Sequence, residues 1–245
     1  SMPFAANEEE QRLANFAGDI AEEYGLNYVN FLQMDLINYH TDMADNNCHM
    51  NPSGARKLTN WLGEDIQQNY DIPDRREDSR FAFWHEDYEK YNLAKNADLQ
   101  ARSELYNILM LLYGDGLDAV LHVKDKSLYN DSLVLELLGA LNVDTESLNK
   151  NSDVIIIRNG GEQSAVLDNV LFDGAELDSP VGKILPIRDE NSAQIRLDEE
   201  LYFPIMEDRD CSIAIARNGV PVDYAGFDYV YDEAAGMIQQ INIVR

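Results

Sequence analysis

The chain has 245 residues, enough for one large domain or two small ones, and its 45% hydrophobic content supplies a core. A formal net charge of −26 argues against nucleic acid or an anionic membrane held through bulk charge, since both need a basic face, and for a solvated acidic surface with cationic or neutral partners. No run of eighteen apolar residues is present and no signal peptide is visible, while the opening Ser1-Met2-Pro3 reads as a boundary that a leader can have preceded.

Residues 7–25 are expected to form a helix. Asn7 and Glu10 make a capping-box pair, Leu13, Phe16, Ala17, Ile20, Ala21 and Tyr24 repeat at helical spacing, and Gly25 stops the run. Asn27-Tyr28-Val29-Asn30-Phe31-Leu32 is expected to be a short strand, so that helix, turn and strand form one αβ unit of a parallel sheet. A polar loop, Asp45–Gly54, follows. Ser53 or Asn51 caps a second helix with Ala55, Leu58, Leu62 and Ile66 on one face, and Tyr70–Arg76 leaves it for the surface.

Residues 77–93 mix charge with Phe81, Phe83, Trp84, Tyr88 and Tyr91. These rings either form a sugar-stacking face or staple a connecting helix to the domain it crosses, and stapling is the expected outcome. His85 is expected at the surface. One long helix over about 94–113 is closed by Gly114 and Gly116. A strand over 117–123, a short helix over 130–142 and a buried strand at Val154–Ile157 come next, the last ending in the hairpin turn Arg158-Asn159-Gly160-Gly161.

The last hundred residues are strand-rich, with candidates at 163–168, 194–198, 201–205, 212–217, 222–231 and 236–244. Asn218-Gly219 is a second hairpin turn. The segments Ile155–Gly160 and Ala214–Gly219 look alike, which fits two hairpins using the same turn chemistry better than an internal repeat. Domains are expected at 1–76, with a helical, aromatic linker at 77–105 and a second domain at 106–245.

Two cysteines, Cys48 and Cys211, stand far apart. They are read as free thiols, with one long-range disulfide as the alternative, and no zinc-ligand spacing, calcium loop or cofactor motif accompanies them. The residues that suggest chemistry are Asp45 and His49. A carboxylate that holds one imidazole nitrogen leaves the other free to take a proton from a hydroxyl, and a loop before a helix is a common seat for such a pair.

His49-Met50-Asn51-x-x-Gly54-Ala55-x-Lys57-Leu58-Thr59, followed by Trp61-Leu62-Gly63, resembles the last conserved block of SGNH (GDSL-type) hydrolases, in particular the exported or membrane-anchored Gram-positive branch. The resemblance covers residues 3 to about 92, including the exit segment Tyr70–Arg76. It implies a flavodoxin-like α/β fold, hydrolysis or transfer of acyl esters on cell-surface carbohydrate, an extracellular or cell-surface location, and a general-base role for His49. The family places its acid three residues before the histidine, where Asn46 stands here. Asp45 is one residue further back, and Asp42 is a weaker substitute.

No Gly-Asp-Ser block or G-x-S-x-G occurs. Leu177-Asp178-Ser179 and Tyr129-Asn130-Asp131 each lack the required glycine. An ester hydrolase needs nucleophile and oxyanion donors beside its base. The expectation is therefore the C-terminal part of such a domain, inactive alone, with its N-terminal part or a second copy, paired through a strand edge, as partner. The expected fold class is α/β, a partial flavodoxin-like SGNH segment, followed by an α+β domain rich in antiparallel strands. The alternative function is a non-catalytic extracellular glycan- or protein-binding module. Ile213-Ala214-Ile215, Val222-Asp223 and Gly226-Phe227-Asp228 are weakly similar to small recognition domains of the interleukin-like EMT-inducer type, and no residue role is carried over from them.

Overall fold

The computed structural model describes residues 8–39, 41–44, 49–113, 116–190, 192–198 and 201–245. The chain divides into two compact units, Ser1–Pro73 and Asp74–Arg245.

In the first unit, α1 spans Glu8–Glu23 and α2 spans Pro52–Asn69. Asn7, the expected cap of α1, lies outside the described residues. Gly25 ends that helix with φ of 63°, a conformation glycine adopts without strain. The expected strand at Asn27–Leu32 does not form. Residues 26–30 have no regular structure and Phe31–Gln33 is a 3-10 turn. A strand exists only if a neighbour completes its hydrogen-bond ladder, and the described residues of this unit offer none beyond one isolated bridge, Met43 to Met50. Tyr28 instead turns back on α1, where its hydroxyl donates to the Ala14 carbonyl at 2.7 Å. The αβ unit of a parallel sheet is thus absent from the described residues. The apolar stripe of α1 faces solvent: Phe16 is 61% and Tyr24 72% exposed.

In the second unit, a 3-10 turn at Ser79–Phe81 leads into α3, Phe83–Ala101, and then α4, Leu105–Leu111. The single long helix expected over 94–113 is therefore two. Its break is imposed from 135 residues away. The Gln240 side chain accepts from the Leu105 N–H at 3.0 Å and donates to the Ser103 carbonyl at 2.6 Å, occupying the groups a continuous helix would have paired internally.

Among the described residues ten strands follow, with one further α-helix, α5 (Ser132–Ala140), between the first two: β1 Leu117–Val123, β2 Ser152–Arg158, β3 Gln163–Asp168, β4 Leu177–Ser179, β5 Gly182–Arg188, β6 Ala193–Leu197, β7 Leu201–Ile205, β8 Cys211–Arg217, β9 Val220–Asp232 and β10 Met237–Val244. They make two antiparallel sheets, ordered β10-β9-β8-β1-β2-β3 and β4-β5-β6-β7. This is the mixed helix and antiparallel sheet expected of an α+β domain. β4 and β5 carried no strand expectation. Pro186 interrupts the ladder donors of β5, and it is tolerated because β4 pairs only with Gly182–Ile184.

The six-stranded sheet is covered on both faces. Leu121, Ile155, Ile157, Ile213 and Ile215 pack with Leu105, Ile108, Leu109, Leu137 and Leu138 of the helices. Val120, Val154, Ile156, Ala214 and Ala216 pack with Ile184, Ile195 and Phe203 of the smaller sheet. Successive residues of a strand point to opposite faces, so a strand buried on both reads as an unbroken apolar run. That is why Val154–Ile157 was legible as a buried strand.

Both hairpin turns form. Asn218 and Gly219 have φ of 49° and 78°, the type I′ requirement at both central positions. β2 and β8 flank β1 on either side, so the two similar segments end beside Gly116. The Asn159 side chain accepts from the Gly116 N–H and the Asn218 N–H donates to the Gly116 carbonyl, both at 2.7 Å. Their arginines then diverge: Arg158 pairs with Asp118 and Asp198, whereas Arg217 donates to Asn96 of α3 at 2.8 Å.

Candidate functional site

The motif around His49 is built on one buried carboxylate. Asp42 is fully buried. Its Oδ1 accepts from the Ser53 hydroxyl at 2.7 Å, and its Oδ2 accepts from the Asn38 N–H at 2.8 Å and the Lys57 ammonium at 2.7 Å. Lys57 is one-fifth exposed, so the ion pair sits at the rim rather than in bulk water.

Asn51 ties the same loop to α2. Its side chain accepts from the Gly54 N–H at 3.2 Å and donates to the Thr41 carbonyl at 2.7 Å. Pro52 follows at the first helical position, where no intrahelical donor is needed. Asn51, rather than Ser53, is thus the cap. Gly54 lies against the Asp42 backbone so closely that a Cβ there would stand 2.4 Å from the Asp42 carbonyl oxygen. Asn51, Ser53, Gly54 and Lys57 therefore all meet Asp42 or the backbone next to it.

Beside this base residues 43–44 pair with residues 49–50. The Ala44 N–H donates to the His49 carbonyl at 2.7 Å, beside the Met43–Met50 bridge. His49 itself is exposed. Asp45, the proposed acid, lies outside the described residues, as do Asn46 and Cys48. Asp42 spends both oxygens on its own anchors. Ser53 is buried with its hydroxyl given to Asp42, so the serine nearest His49 in sequence is a structural partner and not a presented nucleophile.

Three features of the second unit bring chemistry-bearing groups together or bury them. Cys211 is fully buried, and burial pushes its thiol up to about 12, far from thiolate chemistry. The disulfide alternative needs Cys48 and falls outside the described residues. At the hairpin end an open cleft of about 690 Å³ is lined by Asp118, Arg158, Glu162, Gln163 and Asn218 with the Gly182 backbone. At the other end of β1, His122 is 9% exposed and its Nδ1 is buried without a hydrogen-bond partner, with the Phe172 ring edge-on at 6.3 Å.

Burial first, and then the Lys126 ammonium, hold the His122 imidazole below its ordinary pKa of 6.5. The unfolded chain therefore takes up this proton more readily than the folded one. The stability owed to neutral His122 is complete above about pH 6.5 and is lost as pH falls through the lower folded value. Melting temperature measured from pH 7.5 to 5 is expected to fall less steeply for His122→Gln than for the parent chain. Parallel curves would assign the slope to other groups.

Among the described residues no cluster of three or more His, Cys, Asp or Glu side chains is arranged to hold a metal, and no helix is long and apolar enough to cross a membrane. No protein-family model matches the chain, and no curated protein or solved structure matches it.

Proposed function

We propose that residues 8–73 are the terminal segment of an SGNH-type ester hydrolase or acyltransferase domain acting on acylated cell-surface carbohydrate, with His49 as general base and Asp45 as the acid beside it. The observation that carries this reading is the buried Asp42 anchor, on which Ser53 and Lys57 converge while Asn51 caps the helix that follows, so that the exposed His49 sits next to a fixed helix start. A loop anchored this way next to an exposed histidine is what a positioned base needs. The uncovered stripe of α1 adds support, since it is the surface a helix presents without the sheet it was patterned to cover.

The chain as it stands contains no Gly-Asp-Ser block. It is therefore expected to hydrolyse p-nitrophenyl acetate no faster than its His49→Ala variant. The polypeptide extended upstream as its gene encodes is expected to hydrolyse it, with His49→Ala lowering kcat by about a hundredfold or more, the usual worth of a positioned base. An extended polypeptide without a Gly-Asp-Ser block, or one whose activity survives His49→Ala, would overturn the reading.

The other reading is a non-catalytic extracellular module that binds glycan or protein through the second unit. The open cleft favours it, because Asp118, Arg158, Gln163 and Asn218 bring carboxylate, guanidinium and amide groups to one rim.

A further inference from the structure

The first half of α3 has no cover. Every residue from Phe83 to Tyr91 is exposed, so the aromatic groups of this stretch do not staple the helix down as expected. Trp84, Tyr88 and Tyr91 recur at intervals of four and three and line one helix face, at 49%, 44% and 56% exposure. Phe81 in the preceding turn stacks on Trp84 with ring centroids 4.6 Å apart, and Phe83 meets Trp84 edge-on at 5.9 Å.

The second half of the helix is firmly held. Leu99 is buried in the core, Asn96 accepts from Arg217, and Gln100 donates to the Val222 carbonyl at 2.6 Å. The anchored end thus projects the aromatic end as a stiff platform. A contiguous exposed apolar surface of this kind is uncommon on a lone chain and marks an interaction site.

The chemistry of the platform points to a cation. Its rings already draw cations from their own chain: the Arg80 guanidinium lies 5.9 Å from the Phe81 centroid, and the Lys95 ammonium 5.3 Å from that of Tyr91. Asp87 is three residues from Trp84 and four from Tyr91, beside both on the helix surface, and its present partner is Lys90 at 3.3 Å, an exposed ion pair of little worth that an incoming guanidinium can displace. Glu86 and Glu89 stand on the same exposed turns, and acids outnumber bases 45 to 19 over the chain. Negative ring faces set in an acidic field attract positive groups and repel phosphate.

We propose that the Trp84–Tyr88–Tyr91 face of α3 is a docking surface for an arginine-rich polypeptide segment. Its guanidinium groups stack on the rings and pair with Asp87 and its neighbours. Arginine fits better than lysine because one planar group can both stack and fork to a carboxylate. This surface belongs to the second unit and does not depend on the ester-hydrolase reading.

The test is calorimetric titration of the whole chain with a short oligoarginine peptide at low and physiological salt. An oligolysine of equal charge and a neutral oligosaccharide serve as comparisons. Tyr88→Ala/Tyr91→Ala and Asp87→Asn are the variants, their folding checked by thermal melting. The expected result is saturable binding of oligoarginine, tighter than oligolysine, weakened about tenfold or more by the double variant with melting unchanged. Equal affinity of variant and parent would reduce the effect to bulk charge and overturn the proposal. So would no binding, binding of the oligosaccharide alone, or self-association of the chain through this face that the double variant abolishes.

Discussion

Asp131→Ala is expected to destabilise the second unit by about 4 kcal/mol, because it removes a fully buried carboxylate that joins three elements. Oδ1 caps α5, accepting from the Leu133 N–H at 2.9 Å and the Val134 N–H at 3.0 Å. Oδ2 accepts from the Ile238 N–H of β10 at 2.6 Å and from the Tyr106 hydroxyl of α4 at 2.5 Å. Burial, and then the bond to Asp131, push the Tyr106 phenol well above its ordinary range, so it remains a donor at every pH of interest. Alanine would leave buried donors on α5 and β10 without an acceptor, and the Tyr106 hydroxyl with only the Ile238 carbonyl at 3.3 Å. Asp131→Asn keeps one oxygen and turns an amide donor toward the others, so about half the loss is expected. Urea unfolding of both variants checks this. A loss below about 1 kcal/mol for Asp131→Ala would mean that water replaces the carboxylate and that the junction is not a stability hub.

The second large effect is expected at Asp42. Asp42→Ala removes the buried carboxylate that pairs with Lys57 and takes the acceptor from the buried Ser53 hydroxyl, and about 3 kcal/mol of local stability should be lost in the first unit. Gly54→Ala should disturb the same loop by a different route, since its Cβ meets backbone and not a side chain that can swing away. Hydrogen exchange distinguishes a local from a global effect. The Gly54 and Ala55 amides, held by Asn51, should exchange faster in both variants, while the β1 and β8 amides of the second unit keep their protection. Unchanged exchange at Gly54 in Asp42→Ala would show that the Asn51 cap alone holds the loop. His49 would then owe its placement to the helix end and not to the buried carboxylate.

How much of this was legible depended on the distance over which each feature is decided. The helix start at Asn51 or Ser53, the stop at Gly25 and the turn at Asn218-Gly219 follow from φ/ψ preferences and hydrogen bonds within four residues, so they could be read directly, the choice of Asn51 over Ser53 excepted. The alternation of β1, β2 and β8 was legible as apolar runs because burial on both faces removes the polar positions. The strand proposed at Asn27–Leu32 was not decided locally. It needed a neighbour, and composition cannot report whether one is there. The break between α3 and α4 was invisible because Gln240 makes it from another element.

The candidate site divides in the same way. The sequence by itself determined a histidine ahead of a capped amphipathic helix, an acidic surface hostile to phosphate, and two hairpins of common turn chemistry. Residue type and spacing within a turn suffice for each. Only the tertiary structure decided that Asp42 is the anchor under that loop, because its partners Asn38, Ser53 and Lys57 converge through the path of the chain and not through their order in it. It also decided that the aromatic groups of 83–91 stand in solvent. Whether an apolar side chain is covered depends on what packs against it, and no local pattern carries that information.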